Sequence, residues 1–276
     1  MNIAVIGLGI IGGSFCKAIK KYTDHYVIGL NRTLQTSQKA LSIGAIDEIG
    51  TPESLLKADI VILTMYPQAD IDFIEQYGNY INKSAIVTDA SGIKSALCPK
   101  MCELAQKFGF TFIGSHPMAG KEKNGFDVSD AELYQNASFI ITPCGAEQKF
   151  VDILASLAKE IGFTTIKIST PEEHDRMIAF TSQLPHVLAC AYVLSPCCPN
   201  HNGFSAGSYR DVSRVANINS TLWSELFIEN KQPLIKELDI LIDNITNIKN
   251  AIQAGDKETL TQLLEQGHKV KTDLGE

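Results

Sequence analysis

Apolar residues follow two rhythms along this chain. Up to about position 170, short uninterrupted apolar runs alternate with segments whose apolar residues recur every three or four places. The runs NIAVI (2–6), HYVIGL (25–30), DIVILTM (59–65), SAIVTDA (84–90), FTFIGS (110–115), ASFIITP (137–143) and TTIKIS (164–169) read as strands. Between them SFCKAIKKY, SQKALSIGA, SALCPKMCELAQKFG and VDILASLAKEIG read as helices, with Pro99 either kinking its helix or marking the first turn. Such alternation, with strands apolar on both faces, predicts a mostly parallel sheet covered by helices on each side.

After position 170 the strand signals fade. HDRMIAFTSQLPHVLACAYVLS predicts a long apolar helix, bent near Pro185. Within 225–250, Leu226, Ile235, Leu238, Ile242 and Ile245 fall at helical spacings, and 256–270 predicts a last amphipathic helix. The boundary is placed at 168, giving an α/β part over 1–168 and an all-helical part over 169–276. The apolar stripe from 226 to 245 predicts a homodimer, although the core of a monomer could absorb the same residues.

The turn after the first strand carries chemistry. Gly7, Gly9 and Gly12, with Leu8, Ile10 and Ile11 between them, form GLGIIG between a strand and a helix. That spacing allows a tight turn, room for a pyrophosphate and close helix–sheet packing, with free helix N–H groups for the phosphates. The α/β part is therefore a Rossmann-type dinucleotide-binding domain. At the end of the second strand, where a carboxylate would bind the adenosine ribose, stand Asn31, Arg32 and Thr33. A neutral Asn31 does not repel a 2′-phosphate and Arg32 can pair with one, so NADP is favoured over NAD. In the other reading Asn31 binds the ribose hydroxyls and Arg32 merely stacks near adenine.

Composition then narrows the ligands. With 24 basic and 31 acidic residues, the net charge of −7 argues against nucleic acid, though a few basic groups in a cleft can still hold an anion. No basic-then-apolar leader and no bilayer-length apolar run are present, which points to the cytoplasm and no membrane contact. Seven cysteines read as mostly free thiols. Cys197, Cys198 and His201 lack the spacing of a zinc site, so no metal is expected.

The stretch GSHPMAG (114–120) places His116 just beyond a strand ending at Ile113, at the carboxyl edge of the sheet, where such folds bind ligands. A neutral imidazole there could accept the proton of a hydroxyl while hydride leaves the attached carbon. Arg210 and Arg214, four apart in SYRDVSR, would share a helix face and could bind a carboxylate, or form a solvated stripe. Lys94, after Asp89 and the Ser91-Gly92 turn, could hold an anion with the local N–H groups. His186 could line the cleft or be a satisfied core group.

Taken together, GLGIIGGS, TDASGIK, GSHPMAGKEKNGF (with Glu122 and Gly125), HDRMIAFTSQLPH and GSYRDVSRVA occur in an order similar to the prephenate and arogenate dehydrogenase family of tyrosine biosynthesis. The resemblance covers almost the whole chain. It implies NAD(P)-dependent oxidative decarboxylation of a carboxylated cyclohexadienol: 4-hydroxyphenylpyruvate from prephenate, or tyrosine from arogenate. It also implies His116 as proton acceptor, Arg214 at the substrate carboxylate, His186 as the helical part's active-site histidine, and a helical part that builds the dimer. Two positions depart from the family: Gly92 stands where relatives often carry serine, leaving Ser91 one place earlier, and Gln183 stands where they often carry histidine. Without the resemblance, an NADP-dependent β-hydroxyacid dehydrogenase or imine reductase would be the next reading, although those enzymes commonly use a lysine in the helical part. A non-enzymatic nucleotide-binding interaction protein is the third.

Overall fold

The computed structural model describes residues 1–121 and 123–275; Glu122 of the GSHPMAGKEKNGF motif lies outside the described residues. The strands are β1 (Asn2–Ile6), β2 (Tyr26–Leu30), β3 (Glu48–Ile49), β4 (Ile60–Leu63), β5 (Ile86–Asp89), β6 (Thr111–Pro117), β7 (Ser138–Thr142) and β8 (Thr165–Ile168). They form one sheet in the order β3-β2-β1-β4-β5-β6-β7-β8. Helices α1 (Ile10–Tyr22), α2 (Leu34–Ser42), α3 (Pro67–Tyr77), α4 (Leu97–Phe108) and α5 (Gln148–Glu160) interleave with the strands. Strand β3 escapes the sequence pattern because two residues show no period.

Period-two alternation explains why both sheet faces are covered. Ile3, Val5, Ile60 and Ile62 point into one core with Phe15 and Ile19 of α1 and Leu154 and Leu157 of α5. Ala4, Ile6, Val61 and Leu63 point into the other, with Ile74 of α3 and Met101 and Leu104 of α4. Strands β1 to β6 pair in parallel, whereas β7 runs antiparallel to β6. That pairing carries β6 on through His116 to Pro117, with His116 opposite Ile140. The histidine therefore sits on a hydrogen-bonded strand rather than in a turn.

The connection from β6 to β7 is pinned to α1. Tyr134 donates to Ile11 O at 2.8 Å, Ser14 Oγ accepts from Asp130 N at 2.9 Å, and Lys17 donates to Ser129 O at 2.8 Å. One scaffold thus positions both the glycine turn and the segment following His116.

The sheet ends at Ile168, while the first compact unit runs from Met1 to Asn230 and the second from Lys231 to Glu276. The first unit continues with α6 (Pro171–Ile178), α7 (Leu184–Val193), α8 (Gly207–Ser213) and α9 (Ser220–Glu229). A π-helical turn at 179–183 joins α6 to α7. The wider turn relieves the helix of Pro185, which lacks an N–H and crowds the preceding carbonyls. The second unit is a helix pair, α10 (Lys231–Ala254) and α11 (Lys257–Asp273). Leu226 belongs to α9, so the predicted stripe is split between two helices. Among the described residues, no helix is long and apolar enough to cross a membrane.

Candidate active site

The glycine turn divides its work among three positions. Gly7 has φ of +94°, a conformation open mainly to glycine, and a Cβ there would meet Met65 Cγ at 2.8 Å. A Cβ on Gly12 would strike Gly7 O at 2.0 Å, so helix α1 approaches the turn closely only without a side chain. At Gly9 a Cβ would meet nothing within 4 Å. Bareness there is not demanded by the protein's own packing; it suits close approach of a pyrophosphate to the start of α1. The turn fits a dinucleotide, which Gly7, Leu8, Gly9, Ile10, Ile11 and Gly12 would hold.

Asn31 has a different local task from the one its position suggested. Its Oδ1 accepts from Leu8 N at 3.0 Å and its Nδ2 donates to Thr33 O at 3.2 Å, tying the glycine turn to the end of β2. Arg32 and Thr33 follow it, exposed, immediately before α2. No carboxylate occupies the end of β2.

His116 is partly buried, and its Nδ1 lies 2.9 Å from His174 Nε2. His174 Nδ1 in turn lies 2.7 Å from Asp175 Oδ1. Asp175 is anchored from the loop before α4, accepting from Lys94 N at 2.8 Å and Ser95 N at 2.7 Å. Burial, then the neighbouring His174 and Lys94, hold the His116 imidazole well below the usual histidine range, so it is neutral at pH 7. Burial also depresses His174, against the opposing pull of Asp175. Burial alone would raise Asp175, but hydrogen bonds from His174 and Ser95 outweigh it and keep the carboxylate ionised. Neither His174 nor Asp175 was singled out from sequence; the adjacent HD at the start of α6 was the available signal.

Lys94 corrects its expected role. It is fully buried, and its ammonium donates to Asp89 Oδ2 at 2.6 Å, Ser91 O at 2.7 Å and Ile93 O at 3.1 Å. Three donors with three protein acceptors leave none for a substrate anion. Asp89 also accepts from Ser91 N and Ser115 N, so the pair is a fixed brace under the β5 edge. Ser91 faces inward too: it is 6% exposed and its hydroxyl is directed to the Asp70 carboxyl. Beside it, Asp70 is driven well above the usual carboxylate range by burial and then by Asp89. Gly92 is the open member of this turn. A Cβ there would sit 3.6 Å from Leu226 and 3.9 Å from His116 Cε1, ordinary contact distances.

Gln183, expected at the substrate, is also committed elsewhere. It is 1% exposed, donates to Leu226 O at 3.2 Å and accepts from Asn230 Nδ2 at 2.7 Å. It fastens the π turn to the end of α9. His186 Nδ1 donates to Val215 O at 2.8 Å, and its ring lies 3.8 Å from that of Trp223. This bond holds the short 3-10 turn Arg214–Ala216 against α7. Arg210 ends α8, and the N–H of Arg214 still bonds to Arg210 O, so the helical offset between the two survives; both are exposed. Cys198 and His201 engage Tyr209 instead of each other: Sγ lies 3.4 Å from its hydroxyl, and the imidazole stacks on its ring at 4.3 Å.

Comparison with known proteins places this site in context. Residues 15–167 match the family model of the prephenate dehydrogenase nucleotide-binding domain, and residues 170–266 that of the prephenate dehydrogenase dimerization domain. The chain is 29% identical to cyclohexadienyl dehydrogenase of Zymomonas mobilis, covering 99% of this chain and 96% of that one. It superposes on Synechocystis arogenate dehydrogenase with a TM-score of 0.83 at 28% identity, covering 99% and 100% of the two chains. It also superposes on Aquifex aeolicus prephenate dehydrogenase, solved with hydroxyphenyl propionate and NAD+, with a TM-score of 0.87 at 25% identity, covering 99% and 98%.

Proposed function

Since the chain belongs to the prephenate dehydrogenase family, we propose that it carries out the NADP-dependent oxidative decarboxylation of prephenate to 4-hydroxyphenylpyruvate. The observation that supports this reading is His116: a neutral imidazole at the carboxyl edge of the sheet, with Nδ1 already engaged by His174. When bound, the oxidised nicotinamide supplies the hydride acceptor. Nε2 of His116 takes the proton from the ring hydroxyl as the carbon bearing it is oxidised. The carboxylate on the opposite ring carbon then leaves as carbon dioxide and the ring becomes aromatic. Arg214 holds a substrate carboxylate, with Arg210 one turn away, and His186 keeps the Arg214 turn in place. Alignment and electrostatics are what the protein contributes; aromatisation supplies the driving force.

NADP is favoured by a neutral Asn31, an exposed Arg32 and the lack of a carboxylate at the end of β2. NAD is the competing choice, favoured by the NAD+ bound to the Aquifex relative. Arogenate as substrate, giving tyrosine, is the second reading, favoured by the likeness to the Synechocystis enzyme.

His116→Asn tests the mechanism. Turnover should fall about two to four orders of magnitude, the usual contribution of a placed general base, while cofactor affinity measured by titration stays near wild type. Turnover within a fewfold of wild type would remove His116 from the proton transfer.

A further inference from the structure

The chain His116–His174–Asp175 determines which nitrogen of His116 is the base. Asp175 is held as an acceptor by three groups at once: His174 Nδ1 at 2.7 Å, Lys94 N at 2.8 Å and Ser95 N at 2.7 Å. Its main-chain carbonyl is also engaged, by Asn230 Nδ2 at 2.9 Å. A carboxylate so fixed requires the proton of a neutral His174 to reside on Nδ1. His174 Nε2 is then a lone pair, and the atom 2.9 Å from it, His116 Nδ1, must be the donor. The remaining nitrogen of His116, Nε2, is left unprotonated.

We infer that His174 and Asp175 are positioning residues for the proposed proton transfer: they lock His116 in the Nδ1–H tautomer and receive the charge that the transfer creates. The inference rests on His116 being the base. As the substrate O–H bond breaks, its proton goes to His116 Nε2. The Nδ1 proton of His116 can then pass to His174 Nε2, leaving the positive charge on an imidazole paired with Asp175. The direction is set by the charges around the two rings. His116 faces His174 and the ammonium of Lys94, whereas His174 has the Asp175 carboxylate against it, with Asp89 and Lys94 beyond. Because the Lys94 charge is matched by Asp89 at 2.6 Å, Asp175 is the carboxylate left to balance a new cation on the histidines. The sequence separation of 58 residues between the histidines hides this relation from any local motif.

The experiment is a long-range 15N–1H NMR spectrum of the whole protein with labelled histidines, His116 being assigned by its loss in His116→Asn. The expected result is a protonated Nδ1 and an unprotonated, pyridine-like Nε2 on His116 at pH 7. In His174→Phe, which fills the space without an acceptor, the Nε2–H form should appear and kcat should fall about a hundredfold with little change in KM. His174→Gln, whose amide oxygen can accept from Nδ1, should recover both the tautomer and part of kcat. An Nε2–H tautomer in the wild type, or a His174→Phe protein with unchanged ring-nitrogen shifts and unchanged kcat, would overturn the inference. The tautomer is read without substrate, so a wrong choice of substrate leaves this result standing.

Discussion

Folding removes basicity from His116 and His174, and the sign of that change makes a stability prediction. Both imidazoles titrate below the ordinary histidine value of about 6.5, so the native state binds fewer protons than the unfolded chain as pH falls. Stability is complete above that value and is lost as pH drops through the folded values, by up to about 1.4 kcal/mol per pH unit per group. Asp70 acts in the opposite sense, losing stability as pH rises from the unfolded carboxylate range. Variant and wild type must therefore be compared at each pH. In urea titrations at pH 7.5 and 5.5, His116→Asn should lose less stability between the two values than the wild type. Equal losses would show that His116 does not resist protonation. At this scale the place of His116 at the carboxyl edge of the sheet was legible from sequence, because it follows an apolar strand run. Lys94 and Gln183 were not: a charge or an amide beside a turn looks available until its partners, Asp89 for one and Leu226 and Asn230 for the other, are brought to it by the fold.

The glycine turn makes a prediction that separates folding from binding. Gly12→Ala forces a methyl against Gly7 O, so Tm should fall and cofactor binding should weaken with it. Gly9→Ala meets no protein atom, so Tm should stay within a degree or two while cofactor Kd rises at least about tenfold, roughly 1.4 kcal/mol. Thermal melts beside fluorescence titration with the reduced cofactor would decide it. Equal affinity in Gly9→Ala and wild type would mean that the pyrophosphate does not approach at this position. Most elements of the sheet were legible because buried strands leave continuous apolar runs. The antiparallel entry of β7 was not, since ASFIITP reads the same in either direction, and with it went the extension of β6 that carries His116.

For the whole molecule, the second unit leaves Ile235, Ile240, Ile242, Ile245 and Ile252 between 45% and 62% exposed in the single chain. Isolated apolar residues on a surface need no explanation, but a run of isoleucines along one helix needs a cover. Leu226 of the predicted stripe is not part of it; it is 8% exposed and lies beside Gly92. We expect a homodimer, in keeping with the dimerization-domain match. Light scattering coupled to size exclusion should give about twice the 30.1 kDa chain mass, and a strict monomer at micromolar concentration would contradict it. The helical half was legible as helices, because periodicity reports which residues want burial; the break between compact units after Asn230 is a matter of contacts, which periodicity does not carry.

The most direct test of the proposed activity is a set of initial rates of reduced-cofactor formation with prephenate or arogenate, each with NAD+ or NADP+. Turnover is expected to be fastest with prephenate and NADP+. Faster turnover with arogenate or with NAD+ would reverse the corresponding preference while keeping the reaction. No turnover in any of the four, from protein shown to be folded, would contradict the proposed reaction itself.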